Sequence, residues 1–555
     1  MAGFFVSNFV KEINYDFVNN SVTCIKKEIE TEKYIVKQYT SSKFLDDKVF
    51  LQNKEGDIYI IEGYILNKKD LIYRFKGETW INALENMKLQ KKDYFMDFRG
   101  SFSGASYCLK DDEWIFYTNH LGDCQVFYWN QDDKFIVTSD MNWMVDALKS
   151  KGMVYTLNKK AAMSIMSYGW VEGDETIIAE VKKILPGHCI KIKNILSVYQ
   201  YHRFVNTKFT SQSEDEIIEE IDKKFCHAVK LEYEKDREYG YKHIATLSGG
   251  LDSRMNVWVA KEMGYDPITA ITFGQSRGED ISISNQIATK LRIPHFIKNL
   301  DDADFFNNIP NAVKDTFGLI AVAGTIHGDS MLQCLDLSKF GIIHTGQAGD
   351  AILGSRWKCH IKPSSLVGSD SNIALIPYNR NWENEELYFF YERVMHWTLG
   401  IHCKQYEQSM YASPFIQVDF MEYCLSIPLR YRYEHYIYKK WILKKHPKAA
   451  DFNWENLGGK ISDSKRIIKL KNFVKECKRK INKVSKQNQG MNPFDYWYES
   501  IPERRRVLDD MFESLLKMPL LDTQFSEIIK RMYNIETCRG KIRLISALYS
   551  IKSYF

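Results

Sequence analysis

The chain has 555 residues, of which 45% are hydrophobic and 26% are charged, with 12 prolines and 30 glycines. These fractions are those of ordinary globular domains, and they exclude a mainly disordered or collagen-like chain. The 76 lysines and arginines exceed the 71 acidic residues by only five, which argues against a dedicated nucleic-acid-binding protein.

The cysteines and the N-terminal residues bear on where the protein resides. Its 11 cysteines are scattered along the chain without a C-x-x-C pair, as expected for reduced thiols in a large cytosolic protein. The N-terminal residues lack the basic segment of a signal peptide. Apolar runs also stop well short of the ~18 residues that a membrane-spanning helix requires. We therefore predict a cytoplasmic protein.

Short β-strands are predicted for the first 200 residues. Runs rich in aromatic and β-branched residues, such as 57–64 and 113–118, are bounded by Asp, Asn or Gly turn residues. They indicate stacked antiparallel sheets. After Ser213, a suitable N-cap, apolar residues recur at helical spacing. We therefore predict two domains, residues 1–205 and residues 206–555.

In the second domain, β-like runs alternate with helical stretches. Residues 243–247, 268–273 and 295–299 predict strands, and helical patterns separate them. This alternation is typical of a parallel sheet that is covered by helices, whose ligands bind at the carboxyl ends of the strands. From about Asn381 onward, the pattern is mostly helical.

A phosphate-binding loop is predicted between the first of these strands and the following helix. Residues 248–253 read S-G-G-L-D-S. The two glycines allow a tight turn that brings N–H groups close to an anion, and the helix N-terminus adds partial positive charge. No lysine of the Walker type follows the loop. An ordinary strand-to-helix turn would need one capping residue, Asp252 or Ser253, and not the whole hexamer.

This loop is that of the ATP pyrophosphatases, and the chain around it resembles the asparagine synthetase superfamily. The resemblance covers most of the chain. In the first domain it rests on residues 98–102, 119–123, 127–128 and 185–188. In the second domain it rests on the phosphate loop and on residues 345–350, 413–415 and 439–443.

The resemblance implies a fold and a reaction. The fold is α+β and α/β: an antiparallel two-sheet sandwich like that of the Ntn hydrolases, then a parallel-sheet domain of the adenine nucleotide alpha hydrolase type with a helical C-terminal part. The implied enzyme is a carbon–nitrogen ligase, in which a substrate carboxylate attacks the α-phosphate of ATP and ammonia or an amine then displaces AMP. The implied cofactors are ATP and Mg²⁺, and the implied partners are a small-molecule or peptide carboxylate and an amine donor.

The resemblance also implies the residues of the site. Those expected to bind ATP are Leu247, Ser248, Gly249, Gly250, Asp252, Ser253, Phe273 and Gly346. Magnesium prefers carboxylate and phosphate oxygens, and Asp252 and Asp350 can supply the carboxylates from the ends of two strands. Lys440 and Lys460 match the family's two lysines that face the pyrophosphate and the adenylated intermediate. Each would stabilise negative charge that develops during the reaction.

Three positions, Ala2, Gln347 and Ala351, depart from the family pattern. The family's amidotransferases begin Met-Cys-Gly, whereas this chain has Ala2, and a methyl group cannot attack glutamine. We therefore predict that glutamine is not hydrolysed and that the first domain is a degenerate glutaminase. Gln347, which we assign to the catalytic site, stands where asparagine synthetases carry a glutamate. An amide can orient a nucleophile, but it cannot take its proton.

The general base is left open by the sequence. Ala351 also replaces a glutamate of the family pattern. The carboxylates nearest in sequence are Glu383, Glu385, Glu386 and Glu392, and nothing in the sequence chooses among them.

Residues 465–486 are strongly basic. Ten basic residues stand against Glu476 alone, and Ile467, Leu470 and Val474 recur at spacings of three and four. The pattern predicts a basic amphipathic helix. It suits a solvated helix that packs its apolar side on the domain. It equally suits contact with an anionic partner such as a lipid surface, a nucleotide-linked sugar or an acidic polymer.

Three functions follow as alternatives. The first is an amidating ligase that uses ammonia or a small amine, with a sugar uronic acid of surface-polysaccharide synthesis as a candidate substrate. The second is an intramolecular amide former, such as a lasso-peptide or β-lactam-type cyclase. The third is an inactive scaffold or binding protein, which Gln347 and Ala351 favour and the intact phosphate loop disfavours.

Overall fold

The computed structural model of the protein describes residues 3–11, 24–359, 361, 382–405, 410–481 and 492–555. Ala2, on which the prediction about glutamine depends, lies outside these residues, as do Lys483 and Lys486 of the basic segment. Within the described ranges, no helix combines the length and the apolar character that crossing a bilayer requires.

Twelve described strands of the first 200 residues form two antiparallel sheets. The strands are β1 (Gly3–Ser7), β2 (Cys24–Glu30), β3 (Ile35–Ser41), β4 (Val49–Gln52), β5 (Ile58–Ile65), β6 (Gly100–Cys108), β7 (Glu113–Thr118), β8 (Phe127–Gln131), β9 (Lys134–Thr138), β10 (Lys182–Lys183), β11 (His188–Ile192) and β12 (Leu196–Gln200). Among the described residues, one sheet has the order β10-β8-β9-β1-β3-β2 and the other has the order β12-β11-β7-β6-β5-β4. The predicted antiparallel architecture is confirmed.

The two sheets pack face to face, because side chains alternate between the two faces of each strand. Phe4 and Val6 of β1 contribute to a core that they share with Ile60 and Phe116 of the other sheet. Phe5, which lies between them in sequence, joins the core on the opposite face. The predicted sandwich is therefore present, with one apolar layer between the sheets and another on the outside.

Helices cover the outer faces of the sandwich. They are α1 (Lys68–Arg74), α2 (Trp80–Gln90), α3 (Met141–Ser150) and α4 (Lys159–Tyr168). Leu84 of α2 packs in one cluster with Ile61 of β5. Met144 of α3 and Ile165 of α4 pack in another with Phe5. The first 200 residues thus form four layers, in the order helix, sheet, sheet, helix.

A parallel sheet forms the centre of the second domain. Its strands are β13 (Lys242–Thr246), β14 (Ile268–Gly274), β15 (His295–Asn299), β16 (Phe340–His344) and β17 (Met410–Ala412). Their order across the described part of the sheet is β15-β14-β13-β16-β17, and each neighbouring pair is parallel. Helices α5 (Glu214–Glu238), α6 (Leu251–Glu262) and α7 (Glu279–Leu291) precede and connect the first three strands. The predicted parallel sheet is confirmed.

Both faces of the parallel sheet are buried. Ala245 and Ala270 belong to a cluster that includes residues of α5 and α6. Ile244 and Ile271, one residue earlier and one later, belong to a cluster on the other face. Helix α5 starts where the sequence predicts, because Ser213 and Glu216 form a capping box. The Ser213 N–H donates to the Glu216 carboxylate at 2.8 Å, and the Glu216 N–H donates to the Ser213 hydroxyl at 3.4 Å.

The rest of the chain is mostly helical, as predicted. Its helices are α8 (Ile309–Asp315), α9 (Ile326–Leu332), α10 (Gly349–Leu353), α11 (Glu385–Tyr388), α12 (Val418–Ser426), α13 (Leu429–Arg432), α14 (Tyr436–Lys445), α15 (Lys465–Ile481), α16 (Phe494–Ser500), α17 (Pro502–Leu515), α18 (Thr523–Ile535) and α19 (Cys538–Tyr554). A π-helix occupies Phe389–Thr398, a rare conformation that is frequent at functional sites.

The last helices return to the first domain. Leu544, Leu548 and Ile551 of α19 pack in one buried cluster with Ile165 of α4 and Met144 of α3. This cluster also contains residues of α8, α17 and α18. The boundary between residues 205 and 206 stays a prediction, and the two parts of the chain on either side of it share this apolar core.

Candidate functional site

Two loops meet at the carboxyl end of the parallel sheet. The first, residues 247–250, joins β13 to α6, and the second, residues 345–348, joins β16 to α10. A Cβ on Gly346 would lie 2.2 Å from the Ser253 backbone nitrogen. Glycine is therefore required where the two backbones approach each other.

The first turn of α6 presents N–H groups to an anion. Gly250 is the N-cap residue of this 12-residue helix, and no side chain in the described loop caps it. Its first N–H groups and its partial positive charge therefore remain available to a phosphate. Capping by Asp252 or Ser253, the alternative to a phosphate loop, does not occur. The Ser253 hydroxyl instead accepts from the Ser248 N–H at 3.0 Å.

The Gly249 N–H already has a partner within the protein. It donates to Asp280 Oδ1 at 2.8 Å, and Asp280 is buried in the first turn of α7. Asp280 thereby fixes the loop against the neighbouring strand–helix unit. Asp280 was not predicted as a residue of the site. Its only signal was an acidic residue in the first turn of the predicted helix after β14.

Asp252 and Asp350 lie side by side, each in the first turn of the helix that follows one of the two loops. The Asp350 N–H donates to Asp252 Oδ2 at 2.9 Å, and the Tyr438 hydroxyl donates to Asp252 Oδ1 at 2.8 Å. A Cβ on Gly349 would lie 2.6 Å from the Asp252 carboxyl carbon, so a glycine is needed there as well. Burial, together with the negative charge of Asp350, raises the pKa of Asp252 to about 8.

The Asp252–Asp350 pair fits a divalent cation. Two carboxylates with adjacent negative charges are stabilised by a cation between them, and magnesium takes oxygen ligands from carboxylates and phosphates. Burial is the main cause of the raised pKa of Asp252, and the Asp350 charge adds to it. The phosphate loop lies next to the pair and would bring phosphate oxygens to the same place.

A buried ionic cluster anchors the second loop. His344, the last residue of β16, lies with Nε2 2.8 Å from Asp236 Oδ2, and His243 Nδ1 lies 2.9 Å from the same oxygen. Burial lowers the pKa of His344, but the Asp236 carboxylate outweighs it and raises the pKa to about 9. The end of β16 is therefore fixed to α5 directly before the loop begins.

The two loops enclose a cavity of about 330 Å³. The predicted site residues that line it are Leu247, Ser248, Gly250, Asp252, Ser253, Phe273, Gly346, Gln347 and Asp350. Its walls also include Leu332, Ile343 and Tyr411, which add an apolar surface beside Phe273. The cavity thus joins a polar, anion-binding end to an apolar wall that suits a planar base.

His327 adds a neutral imidazole to this wall. Its ring centroid lies 5.2 Å from that of Phe273, in an edge-to-face arrangement. Burial, with a smaller contribution from Arg539, lowers the pKa of His327 to about 4. The ring is therefore uncharged near neutral pH and does not compete with a bound cation.

Gln347 is connected to the first domain through His402. His402 Nε2 lies 2.8 Å from Gln347 Oε1, and His402 Nδ1 lies 2.9 Å from Asp123 Oδ2. The Gln347 amide nitrogen faces the Thr398 carbonyl oxygen at 3.4 Å. Gln347 and the motif at 119–123 were recognisable in the sequence, but no spacing in the sequence could link Asp123 to His402, 279 positions away.

The two predicted lysines do not line the described part of the cavity. Lys440 is exposed and its Nζ lies 4.0 Å from Glu214. Lys460 is half-buried, and its N–H donates to Asp463 Oδ2 at 2.8 Å. Lys460 closes the loop 454–460, however, and Trp454 and Asn456 of this loop do line the cavity.

The carboxylates that were candidates for the general base have other partners. Glu383 pairs with Arg203 at 3.1 Å, Glu386 with Arg432 at 2.8 Å, and Glu392 with His396 at 3.1 Å. Glu385 and these three residues are absent from the described lining of the cavity. Tyr438 was not predicted as a site residue, although it lies directly before the motif at 439–443. Its hydroxyl contacts the Asp252 carboxylate.

A parallel sheet with a glycine-rich loop and a carboxylate pair at its carboxyl end is the arrangement that nucleotide-binding α/β domains use. Residues 220–390, which contain both loops, match the family model of asparagine synthase. The similarity to this family is therefore shown for this part of the chain.

Individual proteins similar to the chain include a curated relative and two solved structures. The chain is 26% identical over 275 residues to asparagine synthetase [glutamine-hydrolyzing] 1 of Bacillus subtilis (strain 168). The match covers 48% of this chain and 42% of the relative, so it spans less than half of the relative's length.

The solved structures share 10% identity and a TM-score of 0.24 with this chain. One is described as the allosteric regulatory enzyme of purine biosynthesis, with 53% of this chain and 74% of that chain covered. The other is glutamine phosphoribosylpyrophosphate amidotransferase from B. subtilis in complex with ADP and GMP, with 54% and 85% covered. A likeness this weak supports no conclusion about function.

Proposed function

We propose that the chain is an ATP-dependent, AMP-forming carbon–nitrogen ligase. It adenylates a carboxylate and then transfers ammonia or an amine to it. The match of residues 220–390 to asparagine synthase supports this class of reaction. The proposal rests above all on one observation: the phosphate loop and the Asp252–Asp350 pair face each other in one cavity.

Each part of the cavity has a task in this reaction. The first N–H groups of α6 bind the phosphates of ATP, and the wall around Phe273 receives the base. Asp252 and Asp350 would hold magnesium, which would supply positive charge against the phosphates when bound. The pyrophosphate leaves without help from a Walker lysine, since the loop carries none.

Gln347 orients the incoming nucleophile or the acyl group. Gln347 lines the cavity, and its amide group is hydrogen-bonded to His402 and to the Thr398 carbonyl oxygen. An amide has no useful basicity at neutral pH, so the amine must arrive as the free base or lose its proton to another group.

The nitrogen does not come from glutamine in this proposal, because position 2 is alanine. We further propose a sugar uronic acid as the carboxylate substrate. The support for this choice is the resemblance to asparagine-synthetase-like proteins of surface-polysaccharide pathways.

Product analysis tests the proposal. The protein is incubated with ATP, Mg²⁺, ammonium and a panel of carboxylates that includes nucleotide-linked uronic acids, aspartate and short peptides. We expect AMP and pyrophosphate in equal amounts with at least one carboxylate. Asp252→Asn should lower the rate by ~10²-fold or more, because it removes a carboxylate charge that would hold the metal against the phosphates.

Asp522→Asn is the matched control. Asp522 is an exposed N-cap residue of α18, and asparagine caps a helix equally well, so we expect wild-type activity. Release of ADP instead of AMP, or full activity of Asp252→Asn, would refute the proposed reaction.

A further inference from the structure

Helix α15 carries an exposed apolar stripe. The exposed fractions of its side chains are 46% for Ile467, 64% for Leu470, 67% for Phe473 and 43% for Val474. Their spacings of three and four residues place them on one side of the helix. This is the reverse of a solvated helix that packs its apolar side on the domain, which was one of the two arrangements that suited the sequence.

The other side of α15 rests on the protein. Asn472 Nδ2 donates to the Leu457 carbonyl oxygen at 3.4 Å, and Lys471 Nζ pairs with Asp463 at 2.6 Å. The helix therefore sits on the loop 454–460 by a polar side and turns its apolar side outward. These contacts fix the orientation of the helix.

The helix is also strongly cationic. Its sequence from Lys465 to Ile481 has eight basic residues and one acidic residue. Lys465, Arg466 and Lys469 are exposed near the apolar stripe. A helix of 17 residues is about 25 Å long, and with this charge it would lie along a membrane surface and not cross it.

We propose that α15 docks the protein on an anionic lipid bilayer. The apolar stripe would enter the boundary between headgroups and acyl chains, and the cationic side chains would meet lipid phosphates. Nucleic acid would match the charge but would leave four large apolar side chains in water. A second copy of the chain would cover the stripe but would bring two cationic helices together.

Docking by α15 places one edge of the cavity near the bilayer. The loop that supports the helix contributes Trp454 and Asn456 to the cavity wall. Substrates held at the membrane surface would therefore have a short path to the site. The docking itself does not depend on the proposed reaction, and it can be measured without a substrate.

Vesicle flotation tests the docking. The purified full-length protein is mixed with vesicles of phosphatidylcholine alone or of phosphatidylcholine with phosphatidylglycerol. We expect flotation with the anionic vesicles, at least about tenfold weaker flotation with the neutral ones, and release as salt screens the charges. Absence of flotation with anionic vesicles at low salt would overturn the proposal.

Two variants of α15 separate its two contributions. Leu470→Glu/Phe473→Glu removes the apolar stripe, and Arg466→Glu/Lys469→Glu reverses two exposed charges. We expect each pair to weaken flotation by about tenfold or more, because the first pair loses apolar area that enters the bilayer and the second reverses charges that attract anionic lipid. All four positions are exposed, so the melting temperature should stay at the wild-type value.

Matched controls make the same changes elsewhere. Leu89→Glu alters a side chain that is 86% exposed on α2, and Lys530→Glu/Arg531→Glu reverses two exposed charges on α18. We expect both to float like the wild type. Equal loss in these controls would overturn the assignment to α15. Self-association that Leu470→Glu/Phe473→Glu abolishes, without vesicle binding, would identify a second copy as the occupant instead.

Discussion

Asp252 is the residue at which the candidate site converges. Its carboxylate accepts from the Asp350 N–H and the Tyr438 hydroxyl, and it leaves no room for a side chain at Gly349. These contacts fix the position of the Asp252 carboxylate. A site assembled in this way depends on a few backbone positions, which explains why glycines occur where the loops touch.

Lys460 lies at the end of a loop that borders the cavity. Its side chain is half-buried, and its backbone is fixed by the hydrogen bond to Asp463. Lys460→Ala should lower the rate of adenylation and amide formation by ~10²-fold or more while ATP affinity changes little, because its charge is needed only as negative charge develops. Lys460→Arg should rescue in part, since its fork has a different shape.

Single-turnover formation of AMP, measured alongside ATP titration, checks this expectation. The carboxylate used is the one that supports AMP release in the product analysis. A wild-type rate for Lys460→Ala would show that the lysine is a surface residue and that its assignment to the site fails.

At the scale of a single element, α14 shows why a sequence motif does not settle which lysine acts. Tyr438 points to Asp252. Lys440 lies two residues further along, about 200° around the helix, and is exposed near Glu214. Lys439 is half-buried, and burial lowers its pKa. Lys439 lies about 100° around the helix from Tyr438, half as far as Lys440.

Alanine substitutions in α14 distinguish the two lysines. Lys440→Ala should change the rate of AMP release by less than about threefold, as expected for an exposed residue of a weak surface pair. Lys439→Ala should lower the rate more. The sequence-based role of Lys440 would be supported if its substitution were the more damaging of the two, because Lys440 would then have to leave Glu214 during the reaction.

Much of the architecture could be predicted because its signals are local. The bounds of β7 coincide with the predicted run 113–118, and α5 starts after the predicted cap Ser213. Residues 248–253 and Asp350, which the structure brings together, could be named as candidates because each lies in a short motif. The outward side of α15 could not be predicted, since periodicity shows that a helix has an apolar side but not what that side faces.

The parts of the site that escaped prediction join distant segments. Tyr438 meets Asp252 across 186 positions, and Asp123 meets His402 across 279. Such contacts depend on how whole elements pack, and a single sequence carries no record of them. His402 had no motif of its own, so nothing in its neighbourhood could have pointed to Gln347.

At the scale of the whole molecule, the first domain still contributes to the cavity of the second. The connection runs from Asp123 through His402 to Gln347. A domain with this role is needed even when it performs no reaction. Loss of the N-terminal cysteine therefore does not make the sandwich dispensable.

Glutamine should not be hydrolysed by the intact protein, because Ala2 has no nucleophilic atom. Incubation with glutamine should release no glutamate above a heat-inactivated control. Ammonium should support AMP formation to the same level whether or not glutamine is present. Glutamate release that scales with protein concentration would contradict this prediction and would reopen the function of the first domain.

The packing of α19 against α3 and α4 has a consequence for how the protein is made. During translation, the apolar surfaces of α3 and α4 leave the ribosome several hundred residues before α19 does. At ~5–20 residues per second, that surface stays exposed for tens of seconds until α19 is synthesised. The nascent chain thus exposes an apolar surface for most of its synthesis. We expect a holdase chaperone to bind there. Ribosomes that stop before α19 would release chains that aggregate through the first domain.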